Sequence, residues 1–400
     1  MTLAGAAPVR VAIVADMIEE RWPSMDLVAN VLLRELPLHN AYPVAPRLVR
    51  PKLLPVIRNL RRGPDGAGAT ADRVFNRFWL YRRALVGLAR HCDVFHIVDH
   101  SYAHLALALP ADRTIVTCHD TDTFRGFMTG EPIETGLPRF LVLRLAAGLR
   151  RAGLVACPTR ATADEVVALG LTEPGRVVLA PYAAETPAVT ADDCRMASDL
   201  LASSMPRVDV LHVGSTIPRK RIDLLLEVFA CIAARHPAAR LLRVGGPFTP
   251  EQEAHAARLG IAGRVLVLPF LPRGTLHAVY RRSALLLLTS DREGFGLPMI
   301  EAMAASLPVL ARDLPVLREV AGGAAMFVDS TDPREWADAA GLLLDERASS
   351  PDAWSARCER ARGRAGHFSW RRYAAQMARL YATVAATTSP AEAPGRVHFR

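Results

Sequence analysis

Short apolar runs rich in β-branched residues alternate with longer stretches of helical periodicity along this chain, and the alternation runs through twice. Strands without a polar face, separated by helices, argue a parallel sheet covered on both sides. The first series places strands at Val9–Ala15, Asp93–Val98, Thr114–Cys118, Leu154–Cys157 and Val177–Ala180. Helices fall between them at Ser24–Leu36, 71–91, 138–151 and 160–169, with Ser24 as the first helix's cap. Ala183–Pro206 has weaker periodicity and reads as a connection. The second series has strands at Val208–Val213, Arg240–Val244, Val265–Leu268, Leu285–Leu288, Val309–Leu310 and Met326–Val328. Its helices are expected at 220–235, 250–259, 274–282, 298–305, 314–320 and 333–346, and two more at 351–364 and Trp370–Thr383 close the pattern. A chain of 400 residues exceeds what one core organises. The expected fold is therefore α/β, two doubly wound domains, with ligands beyond the carboxyl ends of the strands and a cleft between the domains.

Half the residues are apolar, which excludes a disordered chain. The net charge of +9 is local: residues 47–90 carry 11 basic side chains against Asp65 and Asp72, and the rest of the chain sums to zero. Nucleic acid is thus not an expected partner, whereas an anionic membrane surface or polyanionic acceptor could meet residues 47–90. A helix over Arg73–Arg90 would turn Val74, Phe78, Tyr81, Leu85 and Leu88 inward and Arg73, Arg77, Arg83 and Arg90 outward. Six cysteines at long, irregular spacings fit neither a zinc ribbon nor a disulfide scaffold and suit a reducing cytoplasm. No signal peptide or membrane-spanning apolar run of about 20 residues is evident. The expected location is cytoplasmic, peripheral at the inner face of the membrane.

Two segments carry chemistry. In VGSTIPRKRID, Val213–Asp223, a strand ends in Gly214, Pro218 stands where a helix should open, and Arg219 and Lys220 follow. Helix-end amides beside two cations make an anion site suited to phosphate. Lysine occurs only at positions 52 and 220, so a compact ammonium was specifically used here. In DREGFGLPMIEAM, Asp291–Met303, Gly294 and Gly296 flank Phe295, and Pro298 opens a helix carrying Glu301. Both Glu293 and Glu301 are expected to face one mouth. Taken singly, each segment also reads blandly, as a solvated basic helix start or an acid on a helix dipole.

Together, EGFGLPMIE and GSTIPRK resemble the retaining glycosyltransferase family 4, also called the group 1 glycosyltransferases. The resemblance extends through Gly245–Gly246, LPFLPRGTLHAVYRRSALLLLTS and the final helix. It implies the GT-B fold, two Rossmann-like domains facing across a cleft. An acceptor-side domain would span 1–188 with a crossover helix at 369–386, a donor domain 205–366, and a loose tail 387–400. Arg219 and Lys220 match the basic pair on the donor diphosphate, Glu301 the acid on the nucleotide ribose, and Glu293 the acid near the donor sugar. Phe295, Gly296 and Leu297 match a loop whose backbone contacts sugar hydroxyls and phosphate, and Gly214, Gly245, Phe270 and Leu271 complete the donor side. His119, in VTCHDTD, matches the histidine near the transferred sugar.

The resemblance also has gaps. The loop after the first strand, DMIEERWPSMD, lacks the glycines common in relatives, which leaves Trp22, Ser24, Met25 and His100 as acceptor-side candidates. Ser215 stands where some relatives place the first phosphate arginine. Asp120 and Asp122 form D-T-D, but the family is not characterised by a metal site there, so neither metal nor cofactor is expected. The implied activity is retaining sugar transfer from a nucleotide-diphosphate sugar to a saccharide or lipid-linked acceptor in envelope polysaccharide or glycolipid assembly. A nucleotide-sugar epimerase and a non-catalytic binding subunit are the alternatives.

Overall fold

The computed structural model describes residues 7–20, 23–39, 41–56, 65–88, 90–129, 137–202 and 207–388. The chain divides into two compact units: residues up to Pro181 together with those from Trp370 onward, and Tyr182–Ser369. Among the described residues each unit is built on one six-stranded sheet, and every strand pairing in it is parallel.

In the first unit the strands are β1 (Val9–Val14), β2 (Val44–Val49), β3 (Val94–Ile97), β4 (Thr114–Thr117), β5 (Leu154–Cys157) and β6 (Val177–Leu179). Their order is β2-β1-β3-β4-β5-β6, so the winding reverses between β1 and β3. Strands β3 (VFHI) and β4 (TIVT) are buried throughout, which is why neither shows a solvent-facing polar alternation. The final helix, Trp370–Thr388, lies in this unit and buries Tyr373, Met377 and Tyr381. The Tyr381 hydroxyl sits 2.6 Å from His96 Nδ1.

The second unit holds β7 (Val208–Val213), β8 (Ala239–Val244), β9 (Val265–Leu268), β10 (Leu285–Leu288), β11 (Val309–Arg312) and β12 (Met326–Val328). Their order, β12-β11-β10-β7-β8-β9, reverses between β10 and β7. Helices Ile222–Arg235 and Pro333–Ser349 pack over one face, joining Leu225, Phe229, Trp336 and Ala340 to Val210, Leu241 and Leu285 in one core. At such a reversal, successive loops leave in opposite directions and open a crevice beyond the strand ends.

Several expectations fail for local reasons. Strand β2, reading VAPRLV, was not foreseen, because Pro46 and Arg47 interrupt the apolar pattern; it survives as an edge strand, where a missing N–H is tolerated. Ala183–Pro206 is not only a connection: Ala191–Leu201 is a helix, fixed by a reciprocal capping box between Thr190 and Asp193. It buries only Ala197 and Leu201, hence its weak periodicity. The first helix begins at Pro23, one residue before the expected start at Ser24. The helix foreseen over 71–91 is broken by a π-turn at Asn76–Leu80 between Asp65–Phe75 and Tyr81–Val86. The extra residue per turn rotates Arg77 off the solvated face. Its side chain is only 12% exposed, lies over the Tyr102 ring at 4.6 Å, pairs with Glu20 at 3.8 Å and donates to Ser101 O. Among the described residues no helix is long and apolar enough to cross a membrane.

Candidate functional site

The crevice between β7 and β10 is bordered by the two segments singled out from sequence. After β7 the chain passes Gly214, forms a short 3-10 turn at Pro218–Lys220, and only then enters the helix Ile222–Arg235. The expected helix start at Pro218 is thus displaced by Arg221, which takes a left-handed conformation at φ 47°. Arg221 is held there by Asp223 (2.8 Å) and Asp291 (3.2 Å), an arrangement that sequence reading missed because arginine gives no hint of positive φ. The loop after β10 is tied to this turn through the backbone, with Asp291 N–H donating to Arg219 O at 2.9 Å and Thr289 Oγ1 to Lys220 O at 3.1 Å.

These ties bring three predicted residues together. Lys220 Nζ donates to Glu293 Oε1 at 2.6 Å, and Arg219 Nη1 lies 3.8 Å from Glu293 Oε2 while donating to Arg292 O at 3.0 Å. The Glu293 side chain is 6% exposed. Burial pushes its carboxyl upward, but the charges of Lys220 and Arg219 and the Lys220 hydrogen bond outweigh that and hold it below the ordinary value. The result is an ionised carboxylate presenting an ammonium and a guanidinium at the strand ends.

Glu301 is in a different setting. Gly296 adopts φ 81°, and a Cβ there would meet Leu317 at 2.6 Å; its carbonyl then accepts from Met299 N–H at the start of Leu297–Ala304. Leu297 is the first residue of that helix, which carries Glu301. Tyr280 Oη donates to Glu301 Oε2 at 3.1 Å, and Arg273 Nη1 lies 3.7 Å from Oε1. Burial raises this carboxyl to about 7, with Arg273 and the Tyr280 hydrogen bond only partly opposing. The carboxylates foreseen as sharing one mouth therefore have separate partners and opposite ionisation tendencies. Tyr280 and Arg273 had no distinguishing sequence signal. The Phe295 ring is 4% exposed, edge-on to Tyr182 and Phe368, so only its backbone can face a ligand. Phe270 is 71% exposed, with Leu271 half-buried beside it. Gly245, at φ 123°, is obligatory: a Cβ would lie 2.1 Å from Gly214 O.

The first unit repeats the logic at β1 and β3. Asp16 follows β1, Asp99 and His100 follow β3, and His119 follows β4. His119 Nε2–H donates to Val98 O at 2.7 Å, which fixes its tautomer; burial lowers its pKa, so the ring is neutral. His119 N–H donates to His100 Nδ1 at 3.2 Å. Both histidines are nearly buried. Burial raises the Asp99 carboxyl, but hydrogen bonds from the Ser101 N–H (2.8 Å) and hydroxyl (2.5 Å) help hold it below the ordinary value. Asp16, 1% exposed, lacks a hydrogen bond at Oδ1, and burial with the Asp99 and Asp26 charges raises it to about 7. Asp16 was not singled out from sequence, although an acid directly after the first strand was a usable signal. Met25 is half-buried on helix Pro23–Glu35, as part of which Ser24 also folds; Trp22 lies outside the described residues.

Comparison with known proteins matches two family descriptions: "Glycosyl transferases group 1" over residues 200–360 and "Glycosyltransferase Family 4" over residues 37–184. A D-inositol 3-phosphate glycosyltransferase of Acidothermus cellulolyticus is 32% identical over 52% of this chain and 48% of that protein. The chain spans about half the length of the curated relatives it matches. Sucrose-phosphate synthase from Thermosynechococcus elongatus superposes with a TM-score of 0.70 at 19% identity, covering 95% of this chain and 100% of that one. Anabaena HepE, solved in complex with UDP-glucose, gives 0.68 at 16% identity over 94% and 99%. At such identities the likeness establishes the fold, which is GT-B.

The raised carboxyls Asp16 and Glu301 make stability depend on pH. Below about pH 4 folded and unfolded states both hold these protons, and neither group matters. As pH rises toward 7 the unfolded chain releases them first, so stability falls, by roughly 3–4 kcal/mol per carboxyl, and levels off above 7. Urea denaturation at pH 5 and pH 8 should show that Asp16→Asn and Glu301→Gln each reduce this loss; an unchanged difference contradicts the assignment.

Proposed function

Because this chain belongs to the group 1 glycosyltransferases of the GT-B fold, we propose that it transfers a hexose from a nucleotide-diphosphate sugar to an acceptor hydroxyl with retention of configuration. The observation that carries this reading is the buried Glu293 holding Lys220 at 2.6 Å and Arg219 nearby, at the point where the strand order reverses. Cations so held are preorganised, needing no reorientation when charge develops. In the proposed reaction the bond from the sugar's anomeric carbon to the β-phosphate oxygen breaks, and negative charge gathers on the phosphate. Arg219 and Lys220 stabilise it, taking the part a divalent metal plays elsewhere. The acceptor oxygen bonds to the same face of that carbon, and its proton passes to the departing phosphate.

Glu293 orients the sugar and favours its cationic transition state. Glu301 receives ribose hydroxyls, the backbone at Gly245, Phe270 and Leu271 borders the base, and that at Phe295–Leu297 meets sugar and phosphate. From the first unit, neutral His119 hydrogen-bonds a hydroxyl of the transferred sugar, with His100 and Met25 on the acceptor side. The acceptor is a saccharide or lipid-linked molecule of envelope polysaccharide or glycolipid assembly, and the enzyme works in the cytoplasm.

A membrane reading is favoured by one surface of the first unit. Phe75, Phe78, Trp79, Val86 and three arginines (Arg82, Arg83, Arg144) line a groove of about 490 Å³. Trp79, Val86, Phe140 and Leu143 are 43% or more exposed. Apolar side chains interleaved with arginines suit the interface of an anionic bilayer.

Lys220→Ala and Glu293→Ala are expected to lower transfer at least about a hundredfold, the scale of losing one oxyanion-stabilising group. Chelation of divalent metal should leave the wild-type rate intact. Near-normal transfer by either variant, or loss of activity on chelation, contradicts the assignment. Cosedimentation should capture the protein on anionic but not neutral vesicles at low salt, and Trp79→Ala with Arg82→Glu and Arg83→Glu should abolish capture. Binding indifferent to lipid charge and salt removes the membrane reading.

A further inference from the structure

Strands β7 and β8, VDVLHV and ARLLRV, carry ionisable residues where a buried parallel sheet calls for apolar ones, and the register sets His212 against Arg243. Both are completely buried. Among the described residues, neither ring nitrogen of His212 and none of the three guanidinium nitrogens of Arg243 has a hydrogen-bond partner. The nearest aromatic face, Phe248, is 5.9 Å away, a weak cation–π contact. Burial draws Arg243 down to about 10, which leaves it protonated at neutral pH. Burial first, then the charges of Arg243 and Lys220, keeps His212 neutral. A full positive charge is thus enclosed without a counter-charge, an arrangement that is strongly unfavourable unless something supplies one.

Its place indicates what that is. Both residues stand one position before the last residue of their strands, directly beneath the glycine loops. A Cβ on Gly245 would lie 3.0 Å from Arg243 Nη1, and one on Gly214 would lie 3.4 Å from His212 Cε1 and 3.8 Å from Lys220 Cδ. The His212 ring therefore underlies the loop that presents Lys220. The buried carboxylate of that loop, Glu293, is already committed to Lys220 and Arg219. Asp291 in the same loop is engaged by Arg221 and Arg312, so Arg243 adds a cation to strand ends whose carboxylates are already paired.

We propose that Arg243, with His212 packed beside it, is a positioning residue of the donor site, forming a buried positive floor under the Gly214–Lys220 loop whose counter-charge is the diphosphate of the bound donor. The inference rests on the donor reading above and extends it to groups that do not themselves touch the ligand. Without ligand the enclosed charge destabilises the unit. With a diphosphate above it, the same charge adds to the field of Arg219 and Lys220 and holds their loop in its binding arrangement.

The test uses the full chain, with inorganic pyrophosphate, UDP and GDP as calorimetric probes and thermal unfolding without ligand. Arg243→Met should raise the ligand-free melting temperature, because the unpaired charge is gone. It should also weaken pyrophosphate, and whichever nucleoside diphosphate the wild type binds, by about tenfold at low salt. Arg243→Lys, which keeps the charge, should hold affinity within about threefold of wild type. A merely structural arginine gives the reverse: Arg243→Met melts lower and the affinities stay put, which overturns the inference while leaving the donor site standing. Failure of the wild type to bind any of the three probes would sink the donor reading and this inference with it.

Discussion

The contact between Lys220 and Glu293 depends on three features at once, and most of the second unit's architecture serves it. The strand order must reverse between β10 and β7 so that their following loops border a common crevice. Arg221 must take a left-handed conformation, stabilised by Asp223 and Asp291, so that Lys220 ends a tight turn rather than starting a helix. Glu293 must remain ionised although buried, which the two neighbouring cations ensure. Removing one partner leaves an uncompensated buried charge, so the site is fixed by the same electrostatics that make it useful.

The first unit applies the same topology with different chemistry. At the reversal between β1 and β3, Asp99 is held below its ordinary value with two hydrogen bonds from Ser101, while Asp16, in the same neighbourhood, is driven toward its protonated form. Neighbouring acids pushed apart in this way can accept and donate hydrogen bonds at one pH, which suits a surface that must grip hydroxyl groups. His119 stays neutral because it is buried, and its tautomer is set by the Val98 carbonyl.

How much was legible follows from what sequence patterns encode. A buried parallel strand such as β10 is a continuous apolar run and is read directly. Strand β2 was hidden by Pro46 and Arg47, which only an edge position permits, and helix Ala191–Leu201 by a polar surface that leaves its capping box as the main signal. The π-turn that tucks Arg77 against Tyr102 leaves no mark in the periodicity. Within the site, the grouping of Arg219, Lys220 and Glu293 was legible only through the family resemblance, whose two motifs fall in the loops after the neighbouring strands β7 and β10. The separation of Glu301 was not legible, since it depends on Tyr280 and Arg273 from another helix. Arg243 stood in plain view as a charge inside an apolar strand, but its lack of partners is a fact of three dimensions.

The central claim, that the cations gathered by Glu293 serve a sugar nucleotide's diphosphate during transfer, is tested most directly by product analysis with UDP-, GDP- and ADP-sugars, each with and without candidate acceptor saccharides and lipids. The account predicts that one donor class is consumed with an acceptor present and yields a glycoside of unchanged anomeric configuration. Donor turnover independent of any acceptor, or a glycoside of inverted configuration, would contradict it.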